Sequence, residues 1–328
     1  MTELNRKEAI ETINRLSQQK EPFIFVVDYA RQHAYVSRLS EVDPAEMLYD
    51  FCGNTNADTD GATGTSKVEI QAYPTDYQSY KMGFDTVMQA LEEGRASLIN
   101  FTCSTPVTLN IDIKELFYRT KAMYRLWIRD RFTVFSPEIF VRINGDQISS
   151  YPMKGTIDAT LANAEEQLIN NPKELAEHKS VTKLLCDDLA TVANNVTVKR
   201  FRYIDRLDTN KGPILQTSSE IAGTLPYDHH TNLGGIIFDM LPGGSISGSP
   251  KDSAINIIEE AENYNRGYYT GIAGIFDGKN LDSTVLIRYI EHTPEGTVFK
   301  SGGGITVDSN PKTEYEEMVK KIYIPVNE

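Results

Sequence analysis

The chain has 328 residues, with 33 Lys plus Arg against 46 Asp plus Glu and a formal net charge of -13. Its 40% hydrophobic and 24% charged residues are those of a globular protein, which excludes a disordered, collagen-like or disulfide-stapled chain. The acidic balance argues against nucleic acid, whose phosphates attract Lys and Arg patches, and no apolar run approaches the ~18 residues of a membrane span.

The start, MTELNRKEAIETINRL, lacks the apolar stretch of a signal peptide. Cys52, Cys103 and Cys186 form no CxxC pair, which fits a reducing compartment, so a cytoplasmic location is expected. A chain this long buries enough apolar surface to fold without a metal; a metal, if bound, is then expected to be functional.

In chain order, residues 23–27 and 34–36 read as short strands, with a turn at 31–33. The segment 41–66 ends in a polar loop, NTNADTDGATGTS, expected to be mobile. Phe84, Val87, Met88 and Leu91 recur at helical spacing and predict a helix over 80–93, stopped by Gly94. SLINFTCSTP reads as a strand. FTVF and EIFVRI are two more, separated by a Ser-Pro break, and Asn144-Gly145 signals a hairpin into QISSYPM. Residues 162–195 read as helix in two pieces, broken near Asn171-Pro172. VKRFRYIDRL and GPILQTSSEIAGTL read as extended.

The Gly/Ser loop LPGGSISGSPKD leads into a helix with Ser249 as the expected N-cap, ending near Arg266-Gly267. YYTGIAGIFDG, STVLIRYIEH and GTVFKSGGGI read as three consecutive strands, and Ser309, Asn310 and Pro311 start a last helix. No linker divides the chain. The expected fold is a single α+β unit over residues 1–328 with extensive antiparallel sheet.

Several constellations carry chemistry. Glu174 and Glu177 are three apart on one predicted helix, Glu314 and Glu317 on another, with Lys321 four beyond. Carboxylates on an apolar helix face are costly unless paired or bound to a metal, and two such helices face to face suit Mg²⁺. Acidic pairs are also common on solvated faces, and spacing alone leaves that open. The Gly/Ser loop lacks a P-loop ending and is either a plain loop or an anion cradle. Gly302, Gly303 and Gly304 allow close backbone approach, or merely a bulge. The five His residues show no zinc spacing. Lys154, beside a glycine, is a candidate amine nucleophile, although most such lysines are surface residues.

Taken in order, GFDTVMQALEEGRASLINFT, FSPEIF, PMKGT, KELAEH, LPGGSISGSPKDSA, RGYYTGIAG, LIRY and SGGGITVDSNPKTEYEEMVKK resemble the chorismate-utilising enzymes. The resemblance runs from about residue 75 to the end. It implies that family's fold, with large antiparallel sheets in a β-sandwich-like core flanked by helices, residues 76–328 being the family core and 1–75 a shortened N-terminal portion. It also implies roles by position. Lys154 occupies the place of the covalent nucleophile of the branch that aminates chorismate at C4, and Glu138 that of the general acid. Glu177 and Glu317 look like direct Mg²⁺ ligands, with Glu174 and Glu314 acting through water. Tyr269 and Arg288 would meet the enolpyruvyl carboxylate; Gly302, Gly303, Gly304 and Lys321 would complete the anion site; Thr156 would orient substrate beside Lys154. Ammonia would come from a glutamine amidotransferase subunit. Amination at C2, as in anthranilate synthase component I, and a catalytically inactive chorismate-binding protein are the alternatives.

The chain departs from the family pattern in places. Leu98 stands where the isochorismate and salicylate branches carry a Lys general base, which disfavours those activities. Gln216 replaces a His tied to pyruvate elimination, so the enolpyruvyl group is expected to stay. Lys183 and Cys186 replace an Asp and an Arg of the helix after KELAEH.

Overall fold

The computed structural model describes residues 1–58, 67–209 and 212–326. Of the polar loop NTNADTDGATGTS, expected at 54–66, residues 59–66 lie outside that range; its first two residues, Asn54–Thr55, form a strand, as does Met47–Phe51 ahead of it.

Two antiparallel sheets carry the fold. The first runs Leu4–Asn5, His33–Arg38, Phe23–Val27, Ile272–Phe276, Leu281–Val285, Ile139–Asn144, Gln147–Ser150, Gly212–Thr224 and Met153–Asp158, and Asn194–Thr209 also pairs with Gly212–Thr224. The second runs Gly248–Ser249, Leu98–Leu109, Gly296–Ile305, Tyr289–Thr293, Phe132–Ser136, Tyr124–Ile128, Met47–Phe51 and Asn54–Thr55, with Ile70–Ala72 also on Leu98–Leu109.

Side-chain alternation shows how the sheets pack. Phe23, Phe25 and Val27 join a core with Ile13, Ile237 and Phe238 from the Arg6–Gln18 and Leu233–Asp239 helices. Their neighbours Ile24 and Val26 point the other way, into a core shared with Tyr49, Leu126 and Phe132 of the second sheet. On that sheet's outer side Ile99 and Phe101 pack with the Tyr77–Glu92, Lys251–Ala261 and Pro311–Lys320 helices. The order is therefore helices, sheet, sheet, helices. With both faces covered, a strand reads as an unbroken apolar run, as FIFVV does.

Most elements stand where the sequence places them. Asn144 pairs with Gln147 across the expected hairpin, and Asn310 caps the last helix. Three expectations need correction. The helix after the Gly/Ser loop starts at Lys251 with Pro250 as N-cap, and it ends at Ala261, because Glu262 turns inward to meet Arg266. The helix expected to reach 195 ends at Ala190, and Asn194 opens a strand. STVLIRYIEH is two strands: Leu281–Val285 lies in the first sheet and Tyr289–Thr293 in the second.

That last break shapes the site. The chain changes sheets across 286–288, and Arg288 takes a left-handed backbone, φ 55°. Beside it, Phe132–Ser136 in the second sheet continues into Ile139–Asn144 in the first, crossing at Pro137-Glu138. The two crossings are laced together, since Val285 N–H donates to Glu138 O and Phe135 N–H donates to Arg288 O. Strands that switch sheets form the corners of a sandwich, where side chains project into the gap.

Candidate active site

Lys154 lies on Met153–Asp158, a terminal strand of the first sheet. The Pro172–Ala190 helix packs against it, started by Asn171, whose side chain accepts from Lys173 N and Glu174 N, with Pro172 in the first turn. Its inward face carries Glu174, Glu177 and His178. Gly155 has φ +85°, and a Cβ there would sit 2.7 Å from a Glu174 oxygen, so only glycine lets Glu174 come this close. The Pro311–Lys320 helix packs on Gly296–Ile305 and brings Glu314, Glu317 and, just past its end, Lys321 over the glycines.

The amine of Lys154 is 3.0 Å from Glu177 Oε2. The side chain keeps 40% of its surface exposed, while its tip is turned to the acids. Burial works against its charge, but Glu177, Glu317 and Glu174 outweigh that and hold its pKa above the ordinary lysine value. Lys321 lies 2.9 Å from Glu317 Oε1 and donates to Gly302 O at 2.8 Å. A Cβ on Gly303 would lie 3.4 Å from the Lys321 amine and 3.8 Å from Glu314 Oε2, so the bare backbone there borders the charged cluster. Desolvation and the neighbouring Glu317 push the Glu314 carboxyl above its usual range. Glu317, although desolvated, is drawn below its range by Lys321 and Lys154.

Glu138, at its sheet crossing, is half-buried. Burial raises its pKa, against the pull of Ser245 and of Arg288, Lys321 and Lys154. Ser245 Oγ donates to Glu138 Oε1 at 3.2 Å. A carboxyl that holds its proton more tightly than usual is suited to give it away as an acid near neutral pH. Arg288 stacks on Tyr323 at 5.0 Å, and its buried Nε–H has no hydrogen-bond partner among the described residues. Tyr269 is buried and lies in the field of Arg288, and desolvation raises its phenol. His178 is wholly buried; Nε2 contacts Ser219 Oγ at 2.6 Å, and burial lowers its pKa to about 4.

The structure thus gathers Lys154, Glu138, Glu174, Glu177, Glu314, Glu317, Lys321, Arg288, Tyr269 and the glycines of 302–304 at the join of the two sheets. Thr156 pairs with Gln216 beyond a register shift in the strand and is exposed. In the Gly/Ser loop three N–H groups are already used: Gly244 donates to Asp188, and Ile246 and Ser247 to Gly243 O. No spacing rule in the sequence links Ser245, Asp188 or Tyr323 to the acids. In the altered helix segment, Lys183 pairs outward with Asp187 at 2.6 Å.

Four carboxylates on two helices supply the hard oxygen donors that Mg²⁺ prefers, so the donor chemistry fits. Among the described residues no three acidic, His or Cys groups converge as a ready-made metal site. Glu177 and Glu317 each face a lysine ammonium, which a cation would have to displace.

Comparison with known proteins shows the family to which the chain belongs. The family model described as chorismate binding enzyme matches residues 11–327. The chain belongs to that family, and its members act on chorismate. It is 43% identical to an uncharacterised PabA-like protein of Pasteurella multocida over 97% of this chain and 98% of the other. It is 35% identical to aminodeoxychorismate synthase component 1 of Bacillus subtilis, over 57% of this chain and 40% of that one. The fold resembles that of the menaquinone-specific isochorismate synthase of Escherichia coli, with TM-score 0.71 and 14% identity over 98% of this chain and 82% of the other. No helix among the described residues is long and apolar enough to cross a membrane.

Proposed function

We propose that the protein is the amination component of an aminodeoxychorismate synthase, converting chorismate and ammonia into 4-amino-4-deoxychorismate and water. The observation that carries this reading is the amine of Lys154, 3.0 Å from Glu177 and close enough to Glu138 for its charge to act on that carboxyl.

Lys154, whose charge the neighbouring acids favour, first gives up a proton to solvent, and the neutral amine then adds at C2 of the ring; it takes a proton back after it leaves. The ring double bond shifts, and the C4 hydroxyl departs as water with the proton of Glu138. Ammonia then adds at C4, the double bond shifts back, and the Lys154 nitrogen leaves C2 with its electron pair. The proton released by the entering ammonia returns the acid to its starting state. Arg288 presents an unpartnered N–H to a substrate carboxylate, beside Tyr269. The carbonyls and N–H groups of Gly302, Gly303 and Gly304, with Lys321, border the other end. Glu177 and Glu317 would hold Mg²⁺, and Glu174 and Glu314 would support it through water; the ion would supply positive charge for the ring carboxylate. Ammonia comes from a separate glutamine amidotransferase, and the product serves p-aminobenzoate and folate synthesis in the cytoplasm.

The test is direct. The protein is incubated with chorismate, Mg²⁺ and an ammonium salt, and products are separated and weighed. A product one mass unit below chorismate, amino group at C4 and enolpyruvyl group intact, is the expected result. Anthranilate or isochorismate refutes the reading.

A further inference from the structure

We propose that Ser245 is a positioning residue for Glu138: its hydroxyl ties down Oε1, leaving Oε2 as the oxygen that delivers the proton to the departing hydroxyl. This rests on Glu138 being the acid of the proposed reaction. Either oxygen of a free carboxyl can carry the proton, and the group can turn. A donor fixed on one oxygen places the acidic proton on the other.

The hydroxyl can do this only if its loop is still, and the loop is clamped on both sides. Before Ser245, Arg31 Nη1 donates to Leu241 O at 3.0 Å and Lys251 Nζ to Met240 O at 3.0 Å. Gly244 N–H donates to Asp188 Oδ2 at 2.7 Å, and Asp188 Oδ1 pairs with Lys251 at 2.9 Å. After Ser245, Asn100 Nδ2 and Arg266 Nη1 both donate to Ile246 O, each at 2.8 Å. Buried charge is costly. Asp188 is 9% exposed and Arg266 3%, and both are committed to this short stretch of backbone. The clamps come from separate parts of the chain, so the loop is built to a position rather than merely closed. The other groups that face Glu138 are the cations Arg288, Lys321 and Lys154. Ser245 is the neutral partner, able to orient the carboxyl while adding no charge.

The test uses the full chain, with chorismate, Mg²⁺ and ammonium, and every product is identified by mass. Ser245→Ala is expected to lower kcat about tenfold and to leave KM for chorismate within about twofold. The alkaline limb of its kcat profile moves to higher pH, because the lost hydrogen bond favoured the ionised carboxylate. Ser245→Thr keeps the hydroxyl and recovers most of the rate. Asp188→Ala, which unclamps the loop, lowers kcat similarly, and adding it to Ser245→Ala costs little more. A Ser245→Ala protein with the wild-type kcat and pH profile overturns the assignment, as does a Thr variant as slow as the Ala one. In both of those cases the wild type still forms the 4-amino product, so the proposed function stands. A wild type that forms none overturns the function and this role with it.

Discussion

Replacing Lys154 by alanine separates chemistry from stability, because the structure assigns the side chain little of the second. Its contact with Glu177 is a pair in which the two side chains keep 40% and 33% of their surface. Such part-exposed pairs contribute about 1 kcal/mol or less. In a chain of this size that moves the unfolding midpoint by about 2 °C or less. The rate should respond far more. Without an amine held at C2 no covalent intermediate forms, and amination at C4 loses its route. A fall of at least about 100-fold is expected, equivalent to about 2.7 kcal/mol of barrier. Activity is read by chromatography and mass of the product, and stability by thermal unfolding of the same sample. A Lys154→Ala protein that makes 4-amino-4-deoxychorismate at the wild-type rate refutes the covalent step. One that has also unfolded tests nothing, so Lys154→Met, which keeps the bulk, is measured beside it.

The remaining predictions use other parts of the site and its support. Glu177→Gln and Glu317→Gln should each raise the Mg²⁺ concentration for half-maximal activity by about tenfold or more, read by titration after chelation; an unchanged midpoint in both removes them as ligands. Tyr323→Ala takes away the ring that holds the Arg288 guanidinium, and KM for chorismate should rise about threefold to tenfold while Phe restores it; steady-state kinetics with equal KM for all three proteins would show the stack to be idle. His178 is neutral and buried, with its pKa lowered to about 4. The unfolded chain binds that proton near pH 6.5, so native stability falls as pH drops from about 6.5 to 4, by about 3 kcal/mol in total. Urea unfolding across that window should show a shallower dependence in His178→Gln, and parallel curves would contradict the assignment. The side chains of Glu262 and Arg266 are each 2% exposed and lie 2.6 Å apart, and Glu262 also accepts from Thr102. Glu262→Gln leaves the guanidinium uncompensated and should cost about 3–5 kcal/mol, a denaturation shift too large to miss.

Much of the site could be read along the chain because its residues come in local patterns. Glu174 with Glu177, and Glu314 with Glu317, each share a helix face by spacing alone, and Asn171 and Asn310 mark where those helices start. Glycines at 302–304 announce bare backbone; Lys154, which the sequence places after a strand, lies within one, Met153–Asp158. Strand periodicity failed at STVLIRYIEH, since an apolar run gives no sign of which sheet it serves. The switch at Arg288 is set by pairing with distant segments, through Glu138 O and Phe135 N–H. The helix after Pro250 is shorter than its sequence predicts for a similar reason: its end is decided by Glu262 bonding to Thr102 and Arg266, partners outside the helix.

The amino-acid order by itself determined the element types, the alternation that buries both faces of a strand, and the acid pairs, because each depends on residues within a turn or a pleat of one another. Only the tertiary structure decided that the two acid-bearing helices approach one lysine, that Glu138 and Arg288 sit at adjacent sheet crossings, and that Ser245 reaches Glu138. Those contacts join residues far apart in the chain, and their geometry follows from how the two sheets pack, which no local spacing encodes.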